Sequence, residues 1–268
     1  MKIFINETNK KLSKAVFLYC DDLSYSAFQK ALRNKDVKVN GKRINKDLLL
    51  NEGDRVEIYY SPKTEMCFEE IFRDENVLVI NKKQGVSSEN TFDAVKNTYK
   101  DAGFIHRLDR NTKGVMIFSL NERAEKELLL GFKNRTFYKE YTAEVVGIPK
   151  VEKAVLEGYL LKDDKASIVK ISDKPFKGAV YIKTGYEVVE KRENSAILKV
   201  ILYTGKTHQI RAHLAFIGHP IVGDGKYGLE KTNKLFKKDR QQLCASKLIL
   251  KFDKQDFLYY LNNREFNV

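Results

Sequence analysis

Cysteine is scarce. Only Cys20, Cys67 and Cys244 occur in 268 residues, far apart and without a CxxC pair. An odd, scattered set supplies neither a disulfide framework nor a zinc site, and it fits a reducing cytoplasm. No stretch reaches the roughly 18 consecutive apolar residues of a membrane span. The opening MKIFINETNKKLSK lacks the apolar run of a secretory signal. There is no P-loop, no GxGxxG after a strand and no GxSxG. Nucleotide cofactors and serine hydrolysis therefore have no support. Acidic residues are in deficit, 36 against 49 basic, for a net charge of +13. The excess is spread along the chain and fits either a Lys-rich surface or a polyanionic partner.

What is present is globular: 43% hydrophobic and 32% charged residues. Residues 1–60 read as a compact unit. LSKAVFLYC (12–20) has helical periodicity, and Ser24 is placed to cap a second helix through SAFQKALRN. VKVNGKRI (37–44) alternates around Asn40-Gly41, a strong hairpin signal. RVEIYY (55–60) is a strand, so the expected order is helix, helix, short strands. The unit carries 12 basic and 8 acidic residues, with Lys35, Lys38, Lys42 and Arg43 clustered near the hairpin. SPKTEMC (61–67), with one of only four prolines, is the expected linker.

Residues 68–268 alternate many strands with a few helices. FEEIFRDENVLVINKK reads as strand, turn, strand; Thr91 and Asn121 are candidate helix caps; VMIFSL is a buried strand. The expected class is α+β: a small helix-helix-strand domain, then a mixed, mostly antiparallel sheet with segregated helices.

Unusual residues concentrate in two segments. GFIHRLDRNTKGVMIFSL (103–120) carries Arg107, Asp109 and Arg110 within four residues. Cations on both sides favour the charged form of a carboxylate. LYTGKTHQIRAHLAFIGHPIVGDGKYG (202–228) holds three of the four histidines and a helix from about Thr207, with Ile210, Leu214 and Ile217 as its apolar stripe. His208 and Arg211 are three apart and share a face. The five- and six-residue histidine spacings do not match a helical zinc pair, so no metal is expected. In YKEYTAEVV, Lys139, Tyr141, Ala143 and Val145 share one strand face.

These segments resemble a known family. HRLDRNTKG (106–114) is similar to the HRLDxxTSG motif of RluA-type pseudouridine synthases. TGKTHQIRAHLAFIGHPIVGDGKYG is similar to that family's TGRTHQIRxHLxxxGHPIxGDxxYG motif. EEIFRDENVLVINKKQGVSS (69–88) and KEYTAEVVG (139–147) resemble two further motifs, in the family's order. Residues 10–60 resemble the small RNA-binding domain named after ribosomal small-subunit protein four. The resemblance implies a small RNA-binding domain at 1–60 and a catalytic domain at 68–268.

The implied reaction breaks the bond from ribose to uracil N1, rotates the base and rejoins it through C5, without a cofactor. Asp109 aligns with the family's essential aspartate, acting either at sugar C1′ or as a base at C2′. Tyr141 aligns with the tyrosine that packs on the uracil, and Arg211 with the arginine that pairs with the aspartate. Arg107 aligns with the residue that enters the RNA stack when the base flips out. Arg110, Lys206 and His208, with Lys35, Lys38, Lys42 and Arg43, are the remaining expected RNA contacts. Lys113, Lys206 and Lys83 stand where Ser, Arg and Pro are usual, and Ser119 where Ala is common. Lys206 keeps the charge but loses the planar fork.

The implied enzyme works on RNA as a cytoplasmic monomer. Ribosomal RNA, of the large subunit, is the favoured target, with transfer RNA as the alternative. A non-catalytic RNA-binding protein of the same fold is expected to have lost Asp109, Tyr141 or Arg211, yet all three are present. A histidine-dependent ribonuclease using His106 and His208 is the third reading; it would cleave strands, whereas isomerisation leaves them intact.

Overall fold

The computed structural model describes residues 1–20, 23, 25–60, 67–163 and 168–268. The Ser24 cap and residues 61–66 of the expected linker lie outside the described residues. Two compact units emerge, Met1–Met66 and Cys67–Val268.

The first unit contains β1 (Lys2–Ile5), β2 (Lys10–Lys11), α1 (Leu12–Tyr19), α2 (Tyr25–Arg33), β3 (Val37–Val39), β4 (Lys42–Ile44), β5 (Leu49–Leu50) and β6 (Arg55–Ile58). Two strands thus precede the helices, where the sequence suggested none. In β1 only Phe4 is buried, while Ile3 and Ile5 are exposed, which hides the strand alternation. β1 pairs with β6 in a sheet of order β1-β6-β3-β4. Asn40 and Gly41 have φ of 49° and 79°, the two left-handed positions that a tight two-residue hairpin turn requires. Asp47 receives the Ser13 backbone N–H at 2.9 Å and its hydroxyl at 2.8 Å, so a distant carboxylate holds the start of α1. Leu12, Val16, Phe28, Leu50, Val56 and Ile58 form a core of this unit's own.

The second unit runs β7 (Phe68–Arg73), β8 (Val77–Lys82), α3 (Ser88–Thr98), β9 (Gly103–Phe104), β10 (Lys113–Ser119), α4 (Glu122–Asn134), β11 (Tyr138–Val146), β12 (Lys153–Asp163), β13 (Ile168–Ser172), β14 (Val180–Lys191), β15 (Ser195–Leu202), α5 (Gln209–Phe216), α6 (Glu230–Leu235), β16 (Leu243–Ile249), a 3₁₀ turn (Tyr259–Leu261) and β17 (Glu265–Asn267). Its 11-stranded sheet follows the order β13-β12-β14-β15-β11-β16-β10-β8-β7, with β17 on β16 and β9 on β10. β10 and β16 pair parallel, and the other ladders are antiparallel.

The centre of this sheet is buried on both faces. Leu78, Ile80, Met116 and Phe118 enter one core with Val95 of α3 and Ile210 and Leu214 of α5. The alternate residues Val77, Val79, Val115 and Ile117 enter a second core with Ala124 and Leu128 of α4. Strands covered on both sides read as unbroken apolar runs, as VLVI and VMIF do.

Helix α3 starts earlier than the candidate cap at Thr91. Ser87 is the cap, accepting from the Asn90 N–H at 3.1 Å, while Thr91 lies in the first turn and donates back to the Ser87 carbonyl. Asn121 caps α4, accepting from the Ala124 N–H. Helix α5 is buried nearly all round rather than along one stripe. Ala212 packs against Leu160, Val169 and Ile182 of the β12–β13–β14 arm, and Ile217 follows the helix, partly buried.

Candidate active site

The loop between β9 and β10 is pinned along its length. Buried Ser88 donates to the Leu108 carbonyl at 2.8 Å and accepts from the Leu108 N–H at 2.9 Å. Gly85 and Arg110 clasp each other: the Gly85 N–H donates to the Arg110 carbonyl, and Arg110 Nε donates to the Gly85 carbonyl. Lys82, fully buried, directs Nζ at the carbonyls of Val86, Lys83 and Arg110, at 2.7, 3.1 and 3.3 Å. Burial pulls its pKa down to about 8, against the opposing charge of Asp109. Gln84 Nε2 donates to the Asn111 carbonyl at 2.9 Å, and the Thr112 N–H to the Asp109 carbonyl at 2.9 Å. A backbone with this many partners holds one conformation, so Asp109 is presented at a fixed place.

Arg211 of α5 joins two carboxylates. Nη1 donates to Asp109 Oδ2 at 2.8 Å. Nε and Nη2 form a fork on Asp224, at 2.7 and 2.9 Å. Asp224 is fully buried and also accepts from the N–H groups of Lys226 and Tyr227. Burial works against its charge, but the Arg211 bonds and charge outweigh it and hold the carboxyl below the usual carboxylate range. Burial likewise works against the charge on Arg211, but the bonds to Asp224 and then Asp109 raise its pKa. Among the described residues, Asp109 is hydrogen-bonded through Oδ2, to Arg211, and the residue borders the cleft.

Tyr141 lies on β11, where the register against β16 shifts between Glu140 and Thr142. Such a bulge re-aims a side chain next to a site. Tyr141 is buried, opposite Val200, and borders the same cleft as Asp109. Burial, and then the charge of Asp109, raise its pKa and favour the neutral phenol.

His208 sits at φ 55° and ψ 14° as the residue before α5. Tyr227 accepts the Val169 N–H at 2.9 Å, and its hydroxyl is hydrogen-bonded to His208 Nδ1, 2.9 Å away. His208 Nε2 lies 3.9 Å from Asp109 Oδ2, too far for a hydrogen bond. Burial lowers the His208 pKa, with the charge of Asp109 acting the other way.

The cleft has a volume of about 420 Å³ and is bordered by Arg107, Asp109, Lys139, Tyr141, Lys206 and Arg211, among others. The structure thus gathers Arg107, Asp109, Tyr141, Lys206, His208 and Arg211 from three segments of the chain, with Asp109 and Arg211 102 residues apart. Arg110 turns to the Gly85 carbonyl. Lys35, Lys38, Lys42 and Arg43 belong to the first unit, where Lys38 faces Arg43 across the hairpin and lies 3.8 Å from Glu57. Arg43 donates to the Lys35 carbonyl at 3.3 Å.

The ribonuclease reading fails at His106. Its Nε2 accepts the Ile117 N–H at 3.1 Å, its ring stacks on Phe132, and burial pushes its pKa down to about 3. It is neutral, with its accepting nitrogen already engaged. Asp224 was missed in the sequence because an acid between Gly223 and Gly225 looks like a turn residue. Its only signal was its place inside the motif.

The RNA pseudouridylate synthase family profile matches residues 76–216. The ribosomal large subunit pseudouridine synthase C of Vibrio parahaemolyticus is 30% identical, over 77% of this chain and 73% of that protein. The dual-specificity RNA pseudouridine synthase RluA of the same organism is 30% identical, over 74% of this chain and 84% of that protein. The solved structure of human RNA pseudouridylate synthase domain containing 1 superposes with a TM-score of 0.64, covering 73% of this chain and 83% of that one. At 23% identity that likeness concerns the fold. With the profile covering more than half of the chain, this protein belongs to the RluA-type RNA pseudouridine synthase family and is an RNA-modifying isomerase.

Proposed function

We propose that this enzyme isomerises particular uridines of large-subunit ribosomal RNA, with Asp109 as the catalytic carboxylate. The observation that carries this reading is the Asp109–Arg211 pair at 2.8 Å, in one cleft with Tyr141. Arg211 fixes Oδ2 and leaves Oδ1 for the sugar of a flipped uridine. Bonding to C1′ and removal of the C2′ proton both use that one oxygen. Tyr141, a neutral phenol, packs on the base and lies beside C5, whose proton must leave as the new C–C bond forms. Arg107 is exposed and its 3.4 Å contact with Glu89 is a surface pair, worth at most about 1 kcal/mol. It is therefore free to leave Glu89 and fill the gap in the RNA stack.

Lys206 and His208 border the nucleotide, while Lys35, Lys38, Lys42 and Arg43 make the first unit a small RNA-binding domain. The enzyme works as a monomer in the cytoplasm; an odd, scattered set of three cysteines with no CxxC pair supports a reducing setting. A transfer-RNA uridine is the second reading, favoured by a 29% identical relative from Saccharomyces cerevisiae that is named a mitochondrial tRNA pseudouridine(32) synthase.

The test is a pseudouridine map of total RNA, by carbodiimide-stop sequencing, with and without the gene. Sites lost from large-subunit ribosomal RNA and not restored by Asp109→Ala are the expected result. Loss only in transfer RNA selects the second reading. Full restoration by Asp109→Ala ends the assignment of that residue.

A further inference from the structure

Lys133, Arg135 and Lys139 also border the Asp109 cleft and have no place in the roles above. Lys139 lies on β11 two residues before Tyr141. Its ammonium stands over the Phe132 ring, 5.7 Å from the centroid, and Phe132 in turn stacks on His106 at 4.4 Å. Among the described residues none of the three cations has an ion-pair partner, whereas Arg107 and Arg211 each face a carboxylate. Burial and then the charge of Arg135 lower the Lys139 pKa, and Lys139 in turn works on His106. Arg135 and Lys139 thus stand near each other with no ion-paired acid among the described residues, an arrangement that an anion relieves.

The backbone supplies a second observation. Arg135 follows α4 at φ 60° and ψ 33°, the left-handed position where glycine is favoured because it has no Cβ. An arginine enters that region at a cost in backbone energy. Cations at a helix C-terminus also complement the helix dipole. That explanation covers Lys133 and Arg135 but not Lys139, which is on a strand.

We infer that Arg135 and Lys139 form a phosphodiester-binding subsite, gripping a backbone phosphate beside the flipped uridine. The inference rests on the RNA-isomerase reading of the Asp109 cleft. Arg135 brings a planar fork and Lys139 a point charge, the two ways a protein holds phosphate oxygens. A base stacked on the same face of Phe132 is disfavoured, because the Lys139 ammonium covers it.

The experiment compares wild type with Arg135→Gly, Arg135→Asn and Lys139→Met. A fluorescein-labelled RNA fragment carrying the mapped uridine is titrated at several salt concentrations. Melting temperature and single-turnover isomerisation are recorded alongside. Each lost phosphate contact lowers the slope of log K against log salt by about 0.7–0.9. The expected result is this shallower slope and weaker binding in all three variants, with melting temperature unchanged or raised in Arg135→Gly and Arg135→Asn. Glycine and asparagine are both at home in the left-handed region, so a purely structural arginine predicts a lower melting temperature and an unaltered slope. That outcome, or wild-type affinity and slope in Lys139→Met, overturns the subsite. Absence of isomerisation by the wild type on its mapped RNA sinks the underlying functional reading instead.

Discussion

Arg211 is the residue on which the site turns, and its environment says what each neighbour does. Its side chain is 7% exposed, between a fully buried carboxylate and one that is 22% exposed. The buried fork with Asp224 is the anchor, and the single bond to Asp109 is what the anchor positions. Asp224→Asn removes the buried one of the two carboxylates on the Arg211 guanidinium and leaves Asp109 as its remaining counter-charge. Removing one partner of a buried pair costs about 3–5 kcal/mol. Urea unfolding is expected to show a loss of that order, and single-turnover isomerisation to fall with it. Unchanged values in both would detach Asp224 from the site. A second residue-level expectation concerns acid. The pKa values of His106 and His213 lie at about 3 and about 4 in the folded chain, from an ordinary 6.5. Between those values the unfolded chain binds more protons than the folded one. Stability is therefore whole above about pH 6.5 and falls as the pH drops, each imidazole contributing up to about 1.4 kcal/mol per pH unit. His106→Gln should remove its share of the slope in urea titrations from pH 6.5 to 4; an unaltered slope would mean that His106 is protonated in the folded state.

At the scale of elements, close approaches decide what is tolerated. Gly131 lies inside α4, where alanine ordinarily stabilises a helix by about 1 kcal/mol. Here a Cβ would stand 2.2 Å from the buried Phe137 ring. Gly131→Ala should reverse the usual sign and destabilise by about 1–3 kcal/mol, read by thermal or urea unfolding; a stabilised variant would show that Phe137 yields freely. Gly114 closes the HRLDRNTKG motif at φ 122°, and a Cβ there would lie 2.3 Å from the Ala245 carbonyl oxygen. That glycine lets β10 and β16 meet in the sheet's parallel ladder. Element types were readable wherever periodicity was strong: the Asn40-Gly41 hairpin, the runs in β8 and β10, the alternation of β11. The start of α3 was not, because two hydroxyl residues compete for the cap and the choice depends on Ser88 reaching Leu108, 20 residues away. β12 and β13 escaped notice because their faces are mostly half-exposed, which blurs the apolar contrast.

At the scale of the whole molecule, each unit has its own core: residues of the first cluster lie between Phe4 and Ile58, and the others after Cys67. Separate cores lead to the expectation that each unit folds alone. Deleting residues 1–60, which carry 12 basic and 8 acidic residues, should leave a folded second unit that still isomerises a short RNA. Its affinity for the full target should fall, and the salt slope should become shallower as phosphate contacts are lost. Equal affinity and slope by anisotropy titration would show that the first unit is no binding element.

The sequence by itself determined the reaction class, through four motifs that resemble one family, and it pointed to Asp109 and the elements around it, because motif residues and periodicity are local properties of the chain. Only the tertiary structure decided how Asp109 is held. A buried Asp224 behind Arg211, a bulge that turns Tyr141, a His106 spent on the Ile117 backbone and a Lys139 with no acid to face are all set by packing between distant segments. Burial and charge pairing arise only when those segments meet, and no spacing along the chain records them. Asp109 began as a carboxylate among cations; the fold made it one end of an Asp–Arg–Asp chain, with Oδ2 held by Arg211.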